Sequence, residues 1–464
     1  MNVLSKALIT DVLTAAVTTG GDFAELFIEE RDNGHMTLVG GKIEQSLSGK
    51  DFGVGIRIFN DLASVYAYTN NASRENLMKV AREAALAINN SHVCQVLDLR
   101  EDKVITSHPI RLMPDSVPKL RKVQFMRQGY DAMINYDPMI TQGKVTYLEG
   151  TQHVLIANTE GVCIEDTRVR SRIVFQAIAT KGTEMQTGVH SPGAHVGCEL
   201  LEDMDIDYIA KDSARMAKTM VEAGYAPSGK MPVIIGNHFG GVLFHEACGH
   251  GLEATSVAKK TSVFTDKIGE QVASPLVTAI DDGTIPNAWG SMNIDDEGAS
   301  MQKNVLIEKG ILKGYMIDKL NARRMNMSPT GSGRRQSYRF APTSRMTNTY
   351  IAKGHSTTEA IIADTAYGLY AKHLGGGSVN TATGDFNFAV REGYMIKNGK
   401  IIKPIRGATI IGNGPEILKK IDKVGKDLDH GQGMCGSISG NIPTNVGQPT
   451  IRVSDITVGG RDGK

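Results

Sequence analysis

The run NHFGGVLFHEACGHGLEAT, residues 237–255, sets two imidazoles and a carboxylate in the order His245-Glu246-x-x-x-His250. Neutral imidazoles are good zinc ligands. A glutamate beside one of them can take a proton from a metal-bound water, whose pKa the ion lowers toward about 7. The spacing is one residue longer than the H-E-x-x-H of zinc peptidases. On a regular α-helix a five-residue step sets the rings about 140° apart, too far to share an ion; a four-residue step is only about 40° off one face. A single π-type turn absorbs one extra residue, and Gly249 and Gly251 soften the backbone there. The spacing therefore predicts a motif helix with such a bulge. The bland alternative is a buried helix whose histidines make local hydrogen bonds.

A cation needs a third protein ligand. Cys435, in GQGMCGSISG, is the best candidate, because a Gly/Ser loop can bend toward a metal and a thiolate is a strong zinc ligand. Its alternative is a plain buried thiol. His238 and Glu253 flank the motif and either can ligate, although supporting or capping roles suit them better. Cys248 is expected to pack in the core. Two rival chemistries stay open. A fourth ligand would make a zinc structural in a non-catalytic, chaperone-like binding subunit, and without metal Cys435 could act as a nucleophile with His245 as base.

These residues must be positioned by elements. Leu4, Leu8, Val12 and Ala16 recur every four positions, which predicts a first helix ending at Gly20-Gly21. Short strands follow in AELFIEE, MTLVGGKIEQSLS, GVGIRIFN and ASVYAYT, with a hairpin at Gly40-Gly41. A helix capped by Asn71 or Ser73, another over about 116–134, strands over 144–187 and a helix near 205–223 complete the first half. GYAPSGK, residues 224–230, mixes Gly, Pro and Ser and marks a boundary between domains 1–224 and 225–464. MPVIIGN then reads as a short buried strand leading directly into the motif helix. Hairpins are predicted at Lys309-Gly310 and Asn398-Gly399, and helices near 359–371 and 415–424, the latter with Pro415 in its first turn. Strands and helices do not alternate strictly. The fold class is therefore α+β, two domains with large antiparallel or mixed sheets and flanking helices.

Bulk properties narrow the function. A net charge of +1 offers no pull toward phosphate backbones, so nucleic acid is not an expected partner. Five cysteines, an odd and scattered set, argue against a disulfide framework and for a reducing, cytoplasmic location. No run approaches the ~20 apolar residues of a membrane helix.

Seven blocks carry a resemblance over nearly the whole chain: HEACGHGLEA, DDGTIPNAWGS, NIDDEG, GSGRRQSYRFAPTSRMTNTYI, GGGSVNTATGDFNFAVREGYMIKNGKIIKPIRGATIIGNGPEIL, MCGSISG and VGQPTIRV. In this order they make the chain similar to the TldD/PmbA family, and to its TldD-like branch in particular. The resemblance implies a zinc-dependent peptidase with one zinc per chain. His245, His250 and Cys435 would be the ligands and Glu246 the catalytic base. It also implies two-domain α+β chains that dimerise around an internal cavity, as homodimers or with a paralogue lacking the metal motif, and that cut short or unfolded peptides. All four key residues are present, which places the chain with the catalytic type. Thr381 stands where the family pattern has proline, a departure expected to touch a loop rather than the chemistry.

Two further groups are candidates for substrate binding. Arg334 and Arg335, in a run that also holds Arg339 and Arg345, suit carboxylate or peptide recognition. Alternatively they belong to a salt-bridged loop opposite Asp295, Asp296 and Glu297, a stretch more suited to a turn than to a cation. Gly375, Gly376 and Gly377 lack the following Lys-Ser/Thr of a P-loop. They either let an extended peptide pair through its main chain or form a tight structural turn.

Overall fold

A computed structural model describes residues 4–88, 94–380 and 382–461; Thr381 lies outside them. The first helix forms at Lys6–Ala16 with the Ser5 hydroxyl accepting from the Leu8 N–H. The chain then enters a single strand, Phe23–Val39, not the two short ones expected from AELFIEE and MTLV. The polar stretch 31–35 reads as a break in sequence. Its backbone is nevertheless paired on both sides, by Lys42–Asn60 and by Ile140–Asn158, so the strand runs through. Gly40 and Gly41 have φ of 56° and 75°, the left-handed pair that a two-residue hairpin needs.

This first sheet runs Ala63–Thr69, Lys42–Asn60, Phe23–Val39, Ile140–Asn158, Val162–Lys181, Arg100–Asp102, with Glu184–His190 and Gly193–Ala194 added on Val162–Lys181. Side chains alternate between its faces. One face carries Leu26 and Ile28 and, further along the same strand, Met36 and Leu38. The first pair packs with helices Lys6–Ala16 and Arg74–Ala85. The second packs with helices Lys119–Ile134 and Ile206–Glu222. The opposite face presents Glu25, Phe27 and Glu29 to the second half of the chain. Phe27 joins a small core with Ile294 and Tyr338.

The second half contains two larger sheets. In one, strands Tyr367–Val379, Gly229–Ile235, Ile451–Gly459, Thr409–Asn413 and Asp385–Lys397 pair in that order. Asp385–Lys397 also pairs with Tyr367–Val379 and so closes a five-stranded barrel. The other is six-stranded and ends in Asn348–Ile351, Gly440–Gln448 and the edge strand Asp429–Ser437. The turns at Lys309-Gly310 and Asn398-Gly399 form as read, each with two positive φ values. Two expected helices are shorter than their apolar periodicity suggested. The first is Thr358–Ala363, and 367–371 already belong to a barrel strand. The second is Gly414–Lys419, with proline in its first turn, and 421–424 pair as a strand with Ile451–Gly459. In both cases a sheet edge takes the apolar run that follows the helix.

Among the described residues no helix is long and apolar enough to cross a membrane.

Candidate metal centre

The motif sits just after the barrel strand Gly229–Ile235, and the expected π-type turn is not what forms. A 3₁₀ turn at His238–Gly241 intervenes first, and the α-helix covers only Val242–Ala247. Cys248 makes a last bond to the Phe244 carbonyl (3.0 Å) and then leaves the helix at φ −134°, ψ −42°. The chain resumes as a 3₁₀ turn, Gly249–Leu252. A kink and a tighter turn thus do what a bulge was expected to do, and they return His250 to the side of His245. Gly249 permits this passage, since a Cβ there would lie 2.3 Å from Met346 Sδ. The two rings end with centroids 5.0 Å apart and planes at 80°.

Cys435 reaches them from the other sheet. It lies on the edge strand Asp429–Ser437, a paired strand and not the free loop its glycines suggested. Its Sγ is 3.3 Å from His245 Nε2 and 3.4 Å from His250 Nε2. One donor atom from each of the three residues falls within 4.8 Å of the others. Tetrahedral zinc with bonds of ~2.3 Å to sulfur and ~2.0–2.1 Å to nitrogen would hold N and S about 3.6 Å apart. Both N–S distances therefore fit that ion, with His245 and Cys435 buried and His250 partly so. Neither His238 nor any other His, Cys, Asp or Glu among the described residues joins the group. Glu246, part-exposed, points a carboxylate oxygen to 3.6 Å from His250 Nε2.

The three groups also act on one another's charge. Burial pushes the Cys435 thiol up, but His245 and His250 outweigh it and bring it down to about 3, a thiolate at neutral pH. Burial disfavours the charged form of His250, yet Glu253 and Cys435 hold its pKa well above the usual value. Cys248 shows the contrast: buried without such neighbours, its thiol is pushed up, and it packs in the core as expected.

Two further residues support the trio. Glu253 Oε2 lies 3.1 Å from His250 Nδ1, which leaves Nε2 turned to the cysteine. Arg345, fully buried, donates to the Cys435 carbonyl (2.6 Å), to Ser439 Oγ (2.9 Å) and to the Gly440 carbonyl (3.0 Å). Its Nε is 3.8 Å from Glu253. Sequence reasoning gave Glu253 a supporting place but none to Arg345. Only its arginine-rich context marked it, and nothing in spacing ties it to a cysteine 90 residues on.

The remaining candidates stand outside the trio. Arg335 bonds Glu25 Oε1 (2.5 Å) and the Asp296 carbonyl (2.7 Å). Asp295 accepts the N–H groups of Glu297, Ala299 and Gly333, while Asp296 pairs with Arg168 and Glu297 with Arg57, so NIDDEG is a charge-paired turn. Arg334 donates to the Met346 and Pro443 carbonyls. Gly375, Gly376 and Gly377 lie in the barrel strand Tyr367–Val379. A Cβ at Gly377 would meet the Asn387 carbonyl at 2.1 Å, whereas one at Gly376 would meet open space.

Known proteins resemble this chain in sequence and fold. The chain matches the models of the PmbA/TldA metallopeptidase domain 1 over 24–88, central domain over 113–221 and C-terminal domain over 228–460. It is 38% identical to the metalloprotease TldD homolog of Haemophilus influenzae, with 95% of this chain and 93% of the relative covered. It is 32% identical to a metalloprotease of Methanocaldococcus jannaschii, over 93% and 96%. The crystal structure of TldE from Thermococcus kodakarensis superposes with a TM-score of 0.76 at 19% identity, over 97% of this chain and 99% of that one. The last likeness speaks for the fold; the sequence matches show that the chain belongs to the TldD/PmbA family of metallopeptidases.

Proposed function

We propose that this chain is a zinc-dependent metallopeptidase that hydrolyses peptide bonds in short or unfolded peptides, with one zinc per chain held by His245, His250 and Cys435. The observation that carries the reading is the convergence of those three donor atoms beside the Glu246 carboxylate. Bound zinc supplies Lewis acidity and lowers the pKa of a coordinated water toward about 7. Glu246 is the base that accepts the water's proton and later returns it to the leaving amine. Glu253 holds His250 in the tautomer whose Nε2 is free to ligate. Arg345 fixes the backbone at Cys435. Three ligands without a fourth His, Cys, Asp or Glu among the described residues support an open catalytic position over a structural zinc. The physiological unit is a homodimer or a heterodimer with a family paralogue, in the cytoplasm, where thiols stay reduced.

The decisive variant is Glu246→Gln. It is expected to keep zinc near one per chain and an unchanged thermal midpoint. Cleavage of a peptide library should fall by more than 10²-fold, a loss above about 2.7 kcal/mol of transition-state stabilisation. Unchanged cleavage would remove Glu246 from its role. The short Cys435–His245 distance also favours a second reading, a cysteine nucleophile with His245 as base. Zinc at one per chain in the purified protein would end that reading.

A further inference from the structure

The face of the first sheet turned toward the second half encloses a cavity of about 380 Å³ whose charges do not balance. Six arginines line it against two carboxylates, Glu149 and Asp296. Glu149 is taken by Lys122, Arg168 is shared by Asp296 and Asp166, and Arg335 pairs with Glu25. Four guanidinium groups remain: Arg31, Arg170, Arg172 and Arg334. Among the described residues none of them is ion-paired, and their bonds go to neutral groups. Arg170 donates to the Trp289 and Ser291 carbonyls, and Arg172 to Ser191 and the Gln432 carbonyl. Arg31 donates to Asn33 and the Gln336 carbonyl. Arg334 is held by two carbonyls, and its buried Nε has no partner.

Carbonyls satisfy donors but do not cancel charge, and gathering cations away from water is costly. The cost shows in the groups themselves. Burial, then the neighbouring Arg334 and Arg168, hold Arg170 well below its ordinary pKa, and burial brings Arg334 down to about 10. An anion bound among them would relieve both. Guanidinium forks match planar carboxylates in particular.

The cavity borders the candidate metal centre. Met434 lines it and is the residue before Cys435, with a Cα only ~3.8 Å away. Pro443, which holds Arg334, pairs with Met434 across the hairpin. Met434 and Cys435 point to opposite faces of an edge strand, so a chain crossing that edge passes from one to the other. Arg172 and Met434 also line a second cavity of about 260 Å³, beside His238 and Phe239 at the start of the motif.

We infer that the cavity lined by Arg31, Arg170, Arg172 and Arg334 is a subsite for a carboxylate of the peptide substrate, an acidic side chain or a C-terminus close to the scissile bond. This names the substrate class of the peptidase proposed above and rests on that reading. The chain's single tryptophan, Trp289, lines the cavity and sits under Arg172, its ring centroid 5.6 Å from the guanidinium carbon. Its fluorescence therefore reports occupancy without catalysis.

The test uses zinc-loaded Glu246→Gln protein and four probes. Two are N-acetyl hexa-alanine amides carrying one glutamate or one glutamine; the others are N-acetyl hexa-alanine with a free or an amidated C-terminus. At least one acidic member should bind ten times more tightly than its neutral twin, and which one does tells side chain from terminus. Arg172→Gln should bring that ratio near one. Arg31→Gln, at a half-buried position, repeats the measurement if Arg172→Gln does not fold. Equal binding within both pairs, a ratio that survives the arginine substitutions, or inorganic phosphate binding more tightly than any peptide would overturn the inference. Mass spectrometry of the same samples shows whether peptides are cut, so a failure of the Glu246 role is seen separately.

Discussion

His250 is the residue on which the two ends of the centre meet: Cys435 Sγ lies near its Nε2 and Glu253 near its Nδ1. Removing such a supporting carboxylate typically costs 10–100-fold in metal affinity. Glu253→Gln is therefore expected to weaken zinc binding by roughly that factor in a chelator competition, while the far-ultraviolet spectrum stays that of the parent. A loss below threefold would mean that Glu253 only neutralises Arg345. At this scale the sequence was most informative. Histidine, glutamate and cysteine can be picked out by their chemistry, and Cys248 was expected in the core, apart from Cys435. Arg345 escaped because its contacts are with backbone carbonyls, which leave no trace in residue type or spacing.

Among elements, the motif segment docks on the hairpin of Cys435 through close backbone contact. A Cβ at Gly241 would lie 2.4 Å from Gly447 N and 2.5 Å from Gly447 C, and Gly447 is on the strand paired with Asp429–Ser437. Gly241→Ala must push the two apart. We expect a loss of about 1–3 kcal/mol in urea unfolding, accompanied by weaker zinc binding, because the same contact sets the distance between His245 and Cys435. A stability loss with unchanged zinc affinity would show that the segment is held elsewhere. Turns were legible here because they are local: Gly40-Gly41, Lys309-Gly310 and Asn398-Gly399 each carry their own conformational reason. Strand lengths were not legible. Whether 31–35 or 367–371 lie in a sheet depends on partners far along the chain. The break at Cys248 was hidden for the same reason, since Met346 and the neighbouring hairpin shape it.

Across the whole molecule, the boundary proposed at 224/225 separates halves that are joined by charge. Arg215, on the helix Ile206–Glu222, holds Glu392 of the barrel strand through two bonds of 2.9 and 3.0 Å. Burial raises the Glu392 pKa, but Arg215, Tyr394 and Lys372 outweigh it and bring it from 4.5 to about 2. A carboxylate with a depressed folded pKa stabilises fully above its unfolded value and loses that contribution as pH falls toward the folded one. Wild type should exceed Glu392→Gln by about 3 kcal/mol at neutral pH. The gap should narrow below about pH 4.5 and close near pH 2. Urea midpoints at several pH values would show this, and a gap independent of pH would assign the effect to packing. Such long-range pairs were invisible beforehand, because an arginine and a glutamate 177 residues apart carry no mutual signal.

His245 and Cys435 are contributed by segments 190 residues apart, one leaving the barrel and the other on the rim of a separate sheet. During synthesis the histidines emerge long before the thiol, and in the ligand set proposed above they would have no third member until the late hairpin is made and zipped onto its neighbour. A nascent or truncated copy would thus be born harmless, unable to attack its siblings on the ribosome. On the function proposed above, hydrolytic power would arrive only once the segment carrying Cys435 has been made, a safeguard written into chain order alone.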